Sequence, residues 1–216
     1  MTLVILAVAA DFIAKAAAQA RIASAIQQQG FPAKPTVTIE GFPFLTQVVS
    51  HDIGQIRISA QDVPEGSLQI SAVSAVLADV HLDSGFSGGT VGSLSGSALV
   101  TFPAVARVLT SRIGSLGSVV GAGLKLSAAG PDEVKASLNL VLASGSATWR
   151  VTRLSGNEIN ARLVADQGIP SSLRGPISDF TITIPRLPLG VQIDGVSVTP
   201  RGIRGTFSGH DLPFGS

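Results

Sequence analysis

Residues 67–83 alternate for longer than an ordinary β-strand does. Leu68, Ile70, Ala72, Val76, Ala78, Val80 and Leu82 share one phase, interrupted by Ser74. The other phase is Ser67, Gln69 and Ser71, then Val73, Ala75 and Leu77, then Asp79, His81 and Asp83. Successive side chains of a strand point to opposite faces, so this period of two predicts one strand with half-solvated ends and a middle that is apolar on both sides. At about 3.3 Å per residue it spans roughly 55 Å, where most strands span about 17–20 Å. A sheet built on such a strand must twist and curl. The elementary way to cover its apolar middle is to wrap it around a helix.

The flanking segments supply both partners. Asp11 to Gln29 predicts a helix with Ala14, Ala18, Ile22 and Ile26 on one stripe and Lys15, Gln19, Arg21 and Gln28 elsewhere. Gly30, Pro32 and Pro35 end it. Thr36 to Val63 reads as strand, short helix, strand. Val37 and Ile39 point inward, Pro43 opens a helix with Phe44, Leu45, Val48 and Val49 on its apolar face, and Ile56, Ile58 and Ala60 alternate after it. Gly85 to Gly96 is rich in Gly and Ser and reads as a hairpin tip, and Ser97 to Thr101 as a short strand. Pro103 opens a helix to Leu116, with Phe102, Val105, Leu109, Ile113 and Leu116 on one stripe. Everything after it is all-β. Alternation marks Val134 to Leu142, Ala147 to Val151, Ile159 to Leu163, and a last meander from Phe180 that turns at Asp194-Gly195 and ends over Ile203 to Phe207. The fold class expected is α+β: a long, curved antiparallel sheet wrapped around one or two amphipathic helices.

Composition narrows what such a fold does. Apolar residues make up 45% of the 216 and charged residues 13%, about half the usual charged share of roughly 25%. A surface so poor in charge fits an oily partner. Net charge is +1 and there is no Tyr and one Trp, so neither a basic footprint nor a stacking platform points to nucleic acid. The absence of Cys excludes disulfides and thiolate chemistry. No phosphate-cradling or dinucleotide fingerprint occurs, since Gly121-Ala122-Gly123 lacks the third glycine, and no cofactor is expected. Thr2 to Ala10 is an apolar run closed by Asp11, shorter than the about 20 residues that span a bilayer. It reads either as the first turns of a core helix or as the tail of an export signal or anchor, with residues 11–214 forming one domain.

Two constellations carry a reactive alternative. Gly85-Phe86-Ser87-Gly88-Gly89 matches the serine nucleophile elbow, which needs a strand before it and a helix after it. Thr90 to Thr101 are instead Gly-rich and strand-like, so a flexible hairpin is favoured over a serine esterase. Asp79, His81 and Asp83 lie in one phase of a strand, but at its polar end and with no second His nearby, so a solvated face is favoured over a metal site. The apolar helix faces are the stronger candidates: Phe44, Leu45, Val48, Phe102, Val105, Leu109, Ile113 and Leu116 would line a groove for acyl chains where they do not simply close the core. A protein-binding scaffold without lipid is the alternative if the interior is dry and fully packed.

Two blocks carry a family likeness. The first is Gly41-Phe42-Pro43-Phe44-Leu45-Thr46-Gln47 followed by Ile56-Arg57-Ile58-Ser59-Ala60. The second is Ile184-Pro185-Arg186-Leu187-Pro188-Leu189-Gly190, then Val196 to Ile203, then Phe207-Ser208-Gly209. Together, in this order, they resemble the LmeA-like phospholipid-binding proteins (lipomannan elongation factor A) of the actinobacterial cell envelope. The resemblance covers roughly residues 11 to 212. It implies an extracytoplasmic lipid-binding domain related to half of a tubular lipid-binding fold, with phospholipid or another acyl lipid and the membrane surface as partners. It further implies an exported or anchored N-terminus, a supporting role in lipoglycan assembly, and no catalytic residue.

Overall fold

The computed structural model describes residues 2–28, 34–65, 68–112, 123–140, 143–154, 157–169, 178–183 and 190–215. Among the described residues there are three helices and two antiparallel sheets. Helix α1 (Thr2–Gln28) precedes β1 (Thr36–Ile39), α2 (Phe44–Ser50), β2 (Asp52–Glu65), β3 (Leu68–Leu82), β4 (Gly89–Thr101) and α3 (Phe102–Arg112). Then come β5 (Leu124–Ala128), β6 (Glu133–Leu140), β7 (Ala143–Arg153), β8 (Glu158–Gln167), β9 (Phe180–Thr183), β10 (Gln192–Thr199) and β11 (Gly202–Phe214). The first sheet has the order β1-β2-β3-β4-β11-β10 and the second β5-β6-β7-β8-β9. The α+β class and the long curved antiparallel sheet are as the alternation requires.

Helix α1 forms because its sequence is dominated by Ala, with Leu, Gln and Lys, all good helix formers. It lies on the six-stranded sheet. The expected stripe of Ala14, Ala18, Ile22 and Ile26 packs against a core of Val37, Ile39, Phe44, Ile53, Ile56, Val80, Val91 and Leu94. Ile39 is fully buried, and burial of such a side chain contributes about 1.5–3 kcal/mol.

The sheets meet at a second core of Phe102, Val134, Val151 and Val198. Val198 N–H donates to Pro131 O at 2.7 Å and Arg153 Nη1 donates to Ile193 O at 3.0 Å, tying β10 to the second sheet.

Three strand expectations need correction. Residues 89–96 are not part of a hairpin tip. They begin β4, which pairs with β3 on one side and β11 on the other. Two ladders outweigh the low strand propensity of Gly and Ser. Gly96 has a further role, because a Cβ there would run into the Phe207 ring and sit 2.5 Å from Ser74 O. Asp194-Gly195 is not a hairpin turn either. It is a bulge inside β10, where the register shifts between Ile193 and Gly195, and Ser208 Oγ donates to Asp194 Oδ1 at 2.9 Å.

The third correction concerns strict alternation. Ile53 with Ile56, Leu77 with Val80, and Val91 with Leu94 each lie three apart, yet all join the α1 core. Their strands change phase along one transverse row. The flanking pairs place Gly54 opposite Asp79, Asp79 opposite Gly92, and Gly92 opposite Asp211. Asp79 and Asp211 adopt φ of 54° and 50°, a left-handed conformation that Asp tolerates better than most residues. Gly92 leaves the room, since a Cβ on it would lie 3.0 Å from Asp79 Cβ. The row is a crease that keeps the apolar face turned toward α1 on both sides. Asp79→Val is expected to destabilise the protein by about 1–2 kcal/mol, whereas Asp79→Gly stays within about 0.5 kcal/mol. Urea denaturation of both variants checks this, and equal midpoints would refute the crease.

Candidate functional site

The Gly41–Gln47 block is held from below by one face of α1. Asp11, Lys15 and Gln19 recur every four residues and therefore stack along the helix. Asp11 accepts hydrogen bonds from Phe44 N–H (2.9 Å, to Oδ2) and Leu45 N–H (2.7 Å, to Oδ1). Lys15 Nζ donates to Gly41 O at 3.1 Å, and Gln19 Oε1 accepts from Ile39 N–H at 2.8 Å. Lys15 and Gln19 thus stitch α1 to the turn before α2 and to β1, although both lie off its apolar stripe.

Asp11 is the one charged residue buried among those described, at 3% exposure. It caps α2, whose own N-cap position is Pro43 and makes no side-chain cap. A carboxylate also suits the positive end of a helix. Gln47 braces the block from above, donating to Glu40 O at 3.1 Å and accepting from Gly54 N–H at 3.1 Å. Gly41 adopts φ of 87°, and a Cβ there would stand 2.7 Å from Gln47 Nε2.

This scaffold sorts the apolar residues of the block. Phe44 turns inward and is buried, and Val48 packs against the same core. Leu45 is 41% exposed, and Phe42 and Val49 are more exposed still. Phe102 lies in the second core, apart from Phe44. Val105 and Leu109 are half-buried on α3. Ile113 and Leu116 lie outside the described residues, as do residues 184–189 of the second family block. Packing therefore occupies Phe44 and Phe102, and leaves Leu45, Val105 and Leu109 with surface to offer a ligand.

The sequence did not single out the outer face of α1. Phe12, Ile13, Ala16, Ala17, Ala20 and Ala25 are exposed there. An open depression of about 420 Å³ runs beside Ala17, Ala20, Arg21, Ser24, Ala25 and Gln28. The available signal was that α1 has apolar residues outside its packing stripe, which a helix half-exposed to water would not need.

The reactive alternatives find little geometry. Ser87 sits in the β3–β4 hairpin, with a strand on each side and no helix after it. Its hydroxyl donates to Asp83 Oδ2 at 3.3 Å, and Asp83 Oδ1 accepts from the N–H groups of Gly85 and Ser87. Asp83 thus organises a turn. His81 pairs with Asp52 across the strands, and His51 stacks on Phe86. Among the described residues no three His, Cys, Asp or Glu side chains converge as a metal site would require. On the second sheet, Arg150 is held by Glu133 (2.7 Å) and Asp132 (3.3 Å). The hydrogen bond and charge of Glu133, with the charge of Asp132, push its guanidinium still further above its ordinary value.

No curated protein and no solved structure matches the chain. A family model described as LmeA-like phospholipid-binding matches residues 9–208.

Proposed function

The chain belongs to the LmeA-like phospholipid-binding family, and on that premise we propose that it binds a phospholipid or related envelope lipid without reacting with it. Acyl chains are shielded in an apolar groove, and the head group stays at the mouth. The observation that carries this reading is the outer face of α1, which is apolar, exposed and beside an open depression. Each methylene buried there contributes about 0.8 kcal/mol, so a dozen carbons supply on the order of 10 kcal/mol before ordering costs. No polar specificity is needed for tight binding. Leu45, Val105 and Leu109 are the candidate lining outside α1, with Ile113 and Leu116 continuing the α3 stripe in sequence. Residues 11–214 act as one lipid-binding domain in an extracytoplasmic compartment of the cell envelope, supporting lipoglycan assembly by presenting or carrying lipid.

Native mass spectrometry of the purified protein, followed by organic extraction, tests the reading. Near-stoichiometric phospholipid is expected, and Ala20→Asp, a charge placed in the depression beside α1, is expected to lower its occupancy at least about tenfold, because a charge in the acyl environment is poorly solvated. A clean apo mass with no uptake from liposomes would sink it.

A further inference from the structure

We propose that the first half of α1 and the Gly41–Val49 segment form one tip that docks on a phospholipid bilayer. This rests on the lipid-binding reading for the class of surface; the tip shares Phe12, Ile13 and Leu45 with the candidate lining, whereas Phe42 and Val49 lie outside it. Residues 5–10 of α1 are exposed at every position, so all sides of the helix face solvent there, and none of them carries a charge. Ile5, Leu6, Phe12 and Ile13 are each more than half exposed. The Phe12 and Phe42 rings stack at 6.0 Å, which joins α1 to the Gly41–Val49 segment. Leu45 and Val49, at i and i+4 on α2, extend the apolar surface, and Val49 is 79% exposed.

Two features select a bilayer over a second copy of the chain or a protein partner. A flat partner covers one face of a helix, whereas hydrocarbon covers all of them, and an all-round apolar helix belongs in such surroundings. Charge complements phosphate as well. Asp11 is the only acid of α1, and it is buried with both oxygens engaged. Lys15, one turn further, and Arg21 are the cations of the same helix. Glu40, beside Gly41, faces Arg57 at 3.7 Å. The tip is thus apolar, with Lys15 and Arg21 further along α1, and the acids flanking the Gly41–Val49 segment, Glu40 and Asp52, are paired with Arg57 and His81. Ile5 to Ile13 rises about 12 Å at 1.5 Å per residue, enough to reach the acyl region of one leaflet. Among the described residues no helix is long and apolar enough to cross a membrane.

Vesicle flotation of the full chain tests this, with phosphatidylcholine vesicles with and without phosphatidylglycerol. The wild type is expected to float, more completely with the anionic lipid. Val49→Asp and Phe42→Ser alter exposed side chains, and each is expected to weaken partitioning at least about tenfold. Lipid occupancy in native mass spectrometry and the thermal midpoint should both stay unchanged, which separates docking from groove binding and from misfolding. Variants that float as well as the wild type would overturn the proposal, as would a wild type that does not float. A concentration-dependent dimer dissolved by Val49→Asp would overturn it in favour of a second copy.

Discussion

Replacing Asp11 by alanine is expected to destabilise the protein by about 3 kcal/mol and to release α2 from α1. Both carboxylate oxygens are engaged, by the N–H groups of Phe44 and Leu45. Hydrogen bonds to charged groups contribute about 1.5–3 kcal/mol each, and the two here are not independent. Their loss strands two N–H groups at the start of α2, which has no side-chain cap of its own. For a chain of this length the thermal midpoint should fall on the order of 10 °C. Asp11→Asn keeps one acceptor oxygen and should recover part of the loss. Hydrogen exchange localises the effect: the Phe44 and Leu45 amides should lose protection well before those of β3. Unchanged protection at these two amides would mean that the carboxylate is not what holds α2.

The second large effect is expected at Trp149, the one Trp of the chain. It is 5% exposed and packs with Ala136, Ala147 and Ala161 in the second sheet, bordered by Leu124, Leu163 and Phe180. Truncating a buried Trp to Ala costs about 3–5 kcal/mol, and the amount depends on how far the site collapses. Here the nearest partners are alanines, whose short side chains cannot reach into the space, so the upper part of that range is expected. Trp149→Phe should restore most of it. Chemical denaturation gives the magnitude, and exchange at β6–β8 amides should show the loss concentrated in the second sheet. A cost below about 1 kcal/mol would mean that the indole is not the centre of this core.

Much of the fold is legible in period alone. The long alternation of 67–83 became β3, and the Ala14, Ala18, Ile22, Ile26 stripe became the contact of α1 with the sheet. Where the reading failed, tertiary contact overruled a local signal. Gly and Ser in residues 89–96 suggest a loop, but two flanking ladders make them strand. Asp194-Gly195 has the composition of a turn, but β11 continues past it and turns it into a bulge. The crease at Asp79 was invisible because a left-handed residue within a strand has no periodic signature, only a permissive residue type. The candidate site was partly legible. The apolar stripes pointed to α2 and α3, yet nothing in a stripe says which member the core will take, and it took Phe44 and Phe102.

By itself, then, the sequence determined the class of the fold, the long sheet and the poverty of charge, together with the blocks that carry the family likeness. These are local or compositional properties, written in neighbouring residues. The tertiary structure alone decided which polar residues are structural and which apolar ones stay in solvent. Lys15 and Gln19 look like surface residues on a helical wheel, and Asp11 like the end of an apolar run. They become the stitching of α1 to the Gly41–Gln47 block only because β1 and α2 return across the helix 20 to 34 residues later along the chain. The same return stacks Phe42 on Phe12 and leaves both rings in solvent. Burial depends on what folds back over a residue, and that is a property of the whole chain's topology.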